Sequence, residues 1–240
     1  MAGKRLPNYS TITLDMRDPI PNRGQINAMS TMYARMMHKH YIRHRASVME
    51  RQREDIEVYQ RHEAAREARE DGILVIVLAA MTLESAVNAM GVHYFPGKRF
   101  RDAVRPYSLR DTWQIVMKNV FGRGFREKGP AYQAMRHLAE ARNSLVHNHA
   151  KQLELLDQQA MDQAFAQAHP AVLEGKVKQA FEAVVAVSYA AHSMTPDPVG
   201  KPVLLQSYDL GRVPYLEEEF PADIWAEIVA VRESMSDAEY

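Results

Sequence analysis

The chain of 240 residues carries 30 basic and 30 acidic side chains and no cysteine. A formal net charge of zero gives no bulk attraction to nucleic acid or to a membrane surface. The lack of cysteine excludes disulfides, thiolate catalysis and cysteine-based zinc sites. The neutral total hides an uneven distribution, with nine basic residues against three acidic ones in residues 98–128 and six against fifteen in residues 151–240.

The first 25 residues contain Pro7, Pro19, Pro21 and Gly24 and show no sustained period, which predicts an irregular arm. No apolar run follows Lys4 and Arg5, so a secretory signal is not expected and the expected location is the cytoplasm. Residues 26–71 read as one long charged amphipathic helix. Met29, Met32, Tyr33, Met36, Met37 and Tyr41 repeat at helical spacing, and the end, QRHEAAREARED, is polar all round. Asp71-Gly72 reads as a break. Residues 72–193 then read as a helical bundle. It opens with ILVIVLAAMTLESAVNAM, apolar nearly all round, as the central helix of a bundle would be, and Gly91, Pro96 and Gly97 read as its end. The apolar run of about a dozen residues is shorter than the roughly 20 that span a bilayer, so no membrane partner is expected.

A basic loop comes next, then a helix from Ser108 as its cap, with Leu109, Trp113, Val116, Met117 and Val120 as its stripe. Another helix over residues 131–146 carries Tyr132, Met135, Leu138 and Ala139. Residues 151–169 and 171–192 read as two further helices. Residues 194–240 read as a proline-containing linker and a C-terminal helix over residues 221–234. Strand signals are scarce, so the expected class is all-α: a helical bundle with a long N-terminal helical extension and a C-terminal helix.

The chemistry concentrates in ARNSLVHNHA, residues 141–150, where Arg142, Asn143, His147 and His149 fall close together. Arginine is permanently charged and forks onto phosphate, and histidine exchanges a proton near neutral pH. Such a pair can cleave RNA without metal, histidine assisting the ribose 2′-OH and arginine stabilising charge on phosphorus. On an ideal helix the step of five positions from Arg142 to His147 leaves the two about 140° apart, so they share no face within one helix. On spacing alone a second reading stands beside the catalytic one: Arg142 and Asn143 close a helix end and His147 is a surface histidine. Glu84 and Asn88, one helical turn apart, are candidates to support the site from a neighbouring helix, with a buried structural pair as the alternative. Lys98, Arg99, Arg101 and Arg105, interleaved with Phe100 and Tyr107 and continuing to Phe121 and Phe125, form a candidate RNA-backbone surface. His147 and His149 lack the i, i+4 spacing of a helical metal pair, so neither metal nor cofactor is expected.

EARNSLVHNHAK closely resembles the signature of the HEPN superfamily, in which an arginine, a polar residue and a histidine stand at this spacing. LAAMTLESAVNAM resembles the helix of that family with a small-residue face, and SLRDTWQIV resembles its middle segment, with Thr112 where one subset often has lysine. The resemblance covers about residues 72–150. It implies a HEPN-like helical bundle that forms a homodimer with the two motifs facing each other. It also implies a metal-independent endoribonuclease acting as a toxin or antiphage-defence effector, with Arg142 and His147 catalytic and Asn143 as helper. An antitoxin or regulatory protein is the further partner it implies. One branch carries a modifiable tyrosine two positions after the histidine, and this chain has His149 there. The alternative is a non-catalytic HEPN-like module that binds RNA, nucleotide or a protein partner.

Overall fold

A computed structural model describes residues 28–95, 97–104, 106–146, 170–194 and 220–235. Among the described residues the chain is all-α, with no strand. The helices are α1 (Ala28–Gln52), α2 (Val58–Tyr94), α3 (Gly97–Val104), α4 (Leu109–Phe121), α5 (Pro130–Val146), α6 (Pro170–Met194) and α7 (Ala222–Met235). The central helix is α2, which packs against α1, α3, α4, α5 and α6; α6 also carries α5 and α7.

The break expected at Asp71-Gly72 is absent, and the chain turns instead over residues 53–57. Arg53 holds this turn through Glu50 and Asp55, and the Gln60 side chain accepts from the backbone N–H of Glu57 at the start of α2. Gly72 lies mid-helix for a packing reason. A Cβ there would meet Val177 Cγ2 at 2.8 Å and His44 Nδ1 at 3.1 Å, so the glycine lets α1 and α6 approach α2. Gly91 does not end α2 either. A Cβ on it would lie 2.0 Å from the ring of the fully buried Phe100, which seats α3 on α2.

The N-terminal helix is no appendage. Ala34, Met37, His38, Tyr41 and His44 are buried at helical spacing along α1. Met37 and Tyr41 belong to the same hydrophobic core as Ile76, Leu83, Trp113, Phe181 and Ile228. The Tyr41 ring stacks on Phe181 with centroids 4.1 Å apart, and His38 meets the edges of Phe181 and Phe220. The expected methionine stripe is split between two faces. Met37 is fully buried, whereas Met29, Met32 and Met36 are 46%, 42% and 42% exposed.

Ionic contacts fasten α7 to this core. Glu227 accepts a hydrogen bond from the Tyr41 hydroxyl at 2.8 Å and pairs with Arg45 and Lys178, while Asp223 also pairs with Arg45. By length and composition α2 contains a stretch apolar enough to cross a membrane, and 56% of that stretch is buried inside the protein. Ser108 caps α4 as expected, its hydroxyl accepting from the Asp111 backbone N–H.

Substituting alanine at Gly91 must displace the buried Phe100 ring, a form of overpacking that costs about 1–3 kcal/mol. Urea unfolding of Gly91→Ala will show this loss, and Gly72→Ala will lose less, because its Cβ would meet Val177 and His44 at 2.8 and 3.1 Å and not a ring at 2.0 Å.

Acid will also weaken the fold. Burial lowers the His38 pKa from 6.5 to about 3, and burial likewise lowers that of His44 against the opposing pull of the Ala68 carbonyl. The unfolded chain therefore binds more protons below about pH 6.5, so stability rises with pH across this window. It will be lost as pH falls from about 6.5 towards 3, and His38→Gln will flatten the decline in urea midpoint over that range.

Candidate functional site

Helices α2, α3 and α5, with the start of α4, enclose a groove of about 1050 Å³. Glu84 and Asn88 line it from α2, Arg101 and Asp102 from α3, and Arg142 and Asn143 from α5. Tyr107, Ser108 and Thr112 close the side where α4 begins. The sequence of α2 explains its wall. Leu83, Ala86, Val87 and Met90 are buried in the core, which leaves Glu84 exposed and Asn88 half-buried on the other face of the helix. On α5, Met135, Leu138 and Ala141 are buried, and Arg142 and Asn143 follow them into solvent near the helix end. Arg142 stands one turn before the end of α5, whose last turn carries no basic residue.

The groove therefore brings together Arg142, Asn143, Glu84, Asn88 and Arg101 among the residues expected from sequence. His147 and His149 lie outside the described residues, immediately after α5, and so does Arg105. Lys98 and Arg99 occupy the first turn of α3, with side chains outside the described set. Asp102 was missed by the sequence reading. It is one acid in a basic run, and no local pattern marks it as part of the same wall as Arg101.

The side chains of Glu84, Asn88, Arg101, Asp102, Arg142 and Asn143 make no hydrogen bond or ion pair among the described residues. Several arginines elsewhere are paired. Arg45, Arg51, Arg66 and Arg136 are each ion-paired, and Arg110 lies against Asp111 and over the Tyr132 ring. A second cavity, of about 640 Å³, contains Arg45, Lys178, Glu182, Asp223 and Glu227, and its charges are joined to one another. Burial, followed by the nearby Glu227, raises the Glu182 pKa in that cavity against the pull of Lys178. That network holds α7 in place, whereas the polar groups of the α2–α3–α5 groove are left for solvent or a ligand.

Among the described residues, the aromatic side chains of the basic stretch 98–128 do not all face solvent. Phe100 and Phe125 are buried in the core, and Phe121 packs edge-on against Tyr94. Arg126 and Lys128 line a separate cleft beside Pro130. Of the described basic and aromatic residues of this stretch, Arg101 and Tyr107 line the groove. Among the described residues, no three histidine, aspartate or glutamate side chains converge as metal ligands would. The chain matches no protein-family model, and neither a curated protein nor a solved structure is significantly similar to it.

Arg101 and Arg142 stand on different helices around one opening, so together they can neutralise two phosphates of an anionic strand. Replacing both by alanine will weaken binding of a single-stranded oligoribonucleotide, measured by fluorescence anisotropy. The slope of log affinity against log salt will flatten by about 1.4, at about 0.7 for each phosphate no longer neutralised. An unchanged slope would remove the groove from the path of the strand.

Proposed function

We propose that the chain is a metal-independent endoribonuclease of the HEPN type. The observation that carries this reading is the placement of Arg142 and Asn143 in a groove with Glu84, Asn88 and Arg101, all without partners among the described residues, in an all-α bundle. The motif resemblance supplies His147, the residue that directly follows α5. RNA provides its own nucleophile, the 2′-OH. His147 takes the proton from that hydroxyl, the oxygen attacks the adjacent phosphorus, and the 5′-oxygen leaves with a proton from a general acid. The products are a 2′,3′-cyclic phosphate and a free 5′-hydroxyl end. Arg142 stabilises the charge on the pentacoordinate phosphorus, and Asn143 orients the reacting groups.

The proposed active form is a homodimer in which Arg142 and His147 of both protomers line one cleft. The motif geometry supports this arrangement, because about 140° of helical rotation separates the two positions within one chain. The proposed setting is the cytoplasm, where the enzyme acts as a toxin or antiphage-defence effector under control of an antitoxin or regulatory protein.

The test is cleavage of single-stranded RNA in excess EDTA, with the product ends identified by mass spectrometry. Cyclic phosphate ends are expected. His147→Ala will lower the rate by about 10²–10⁴, as loss of a general acid or base does. Arg142→Ala will lower it by about 10²–10³, as loss of a preorganised charge does. Arg142→Lys will not restore full activity, because an ammonium cannot fork onto two phosphate oxygens. Full activity in His147→Ala, or equal cleavage of DNA, would refute the mechanism.

A further inference from the structure

We infer that the groove between α2, α3 and α5 selects a guanine base of the bound strand, read by Glu84 and Asn88. This inference rests on the ribonuclease reading for its setting, but its chemistry comes from the groove itself. A site for phosphate alone needs only cations. This one presents a carboxylate, Glu84, and a carboxamide, Asn88, neither with a partner among the described residues, together with Arg101 and Arg142 on the other walls. The matching ligand has an anionic end and an end rich in N–H donors, which describes a nucleotide.

The choice among the four bases follows from hydrogen-bond inventory. An ionised carboxylate only accepts, and it offers two oxygens side by side. Guanine alone has two adjacent donors on its Watson–Crick edge, N1–H and the exocyclic amine, with the O6 acceptor next to them. Adenine and cytosine pair one amine with a ring-nitrogen lone pair that a carboxylate repels, and uracil flanks its single N–H with two carbonyls. Glu84 and Asn88 stand at i, i+4 on one face of α2, ~5–6 Å apart at Cβ. In the proposed pose the Glu84 carboxylate takes N1–H and the amine, and the Asn88 amide donates to O6. Tyr107, half-buried in the same groove, offers an aromatic face for the base. Arg101 and Arg142 take the flanking phosphates.

The experiment is calorimetric titration of the full-length chain with GMP, AMP, CMP and UMP, each up to millimolar concentration. GMP is expected to bind at least about tenfold more tightly than the others, the discrimination of one bidentate pair. Glu84→Gln presents one donor where guanine needs an acceptor, so it will lose that preference while binding of the other three stays level. Arg101→Ala will weaken all four alike. Glu84 is exposed and makes no hydrogen bond or ion pair among the described residues, so an unchanged unfolding midpoint will show that Glu84→Gln is folded. Equal affinity for the four nucleotides, binding of none of them, or uniform weakening in Glu84→Gln would overturn the inference. Mapping of RNA ends separates it from the ribonuclease reading. GMP selectivity without cleavage sinks only the nuclease, and cleavage without preference for guanine sinks only the base subsite.

Discussion

The close approach of neighbouring helices to α2 is the constraint on which the rest of the architecture depends. A 37-residue helix that touches five others has to be thin where they cross it. Gly72 makes room for His44 of α1 and Val177 of α6, and Gly91 makes room for the Phe100 ring of α3. Between them Ala79, Ala80 and Ala86 are buried with little bulk. This close packing fixes the rotation of α2, because the glycines must face their partners. The rotation in turn leaves Glu84 and Asn88 facing the groove. The polar wall of the site is thus set by steric fit several residues away on both sides.

The same glycines explain where the sequence misleads. A glycine after an aspartate reads as a break because glycine costs about 1 kcal/mol in a helix interior. Nothing local distinguishes that case from a glycine retained for a helix crossing, and the difference lies in His44 and Val177 on two other helices. The buried face of α1 was obscured for another reason. Three of its six positions are Ser30, His38 and His44, which count as polar in any periodicity, so the methionine pattern points partly to another face. Burial keeps these histidines neutral, and in the fold they behave as core side chains.

Other features were legible because their causes are local. Ser108 caps α4 through its own first turn, and the stripes of α4 and α5 bury Trp113, Val116, Met117, Tyr132, Met135 and Leu138. Arg142 and Asn143 line one groove with Glu84 and Asn88, an arrangement set by the packing of α5 on α2 and not by local sequence. The basic stretch was harder to read. Aromatic residues between arginines suit a strand-binding surface and a segment anchored to a core equally well, and Phe100 and Phe125 belong to the second kind.

The two cavities show how the chain uses its charge. Around Glu227, charges at the junction of α1, α6 and α7 are joined to one another, so desolvation of each is offset by a partner. Around Arg142, charges of both signs share one groove without a partner among the described residues. Sequence alone does not separate these cases, since both consist of arginines and glutamates on amphipathic helices. What separates them is the solvation left to each group once the helices have packed. Exposed groups such as Glu84 and Arg142 keep their hydration in the groove, so leaving them unpaired costs the fold little. A ligand that enters must replace that hydration group by group, and one that offers donors to the carboxylate but no anion to the guanidiniums replaces only half of it. A ligand that carries both kinds of group replaces the hydration of both.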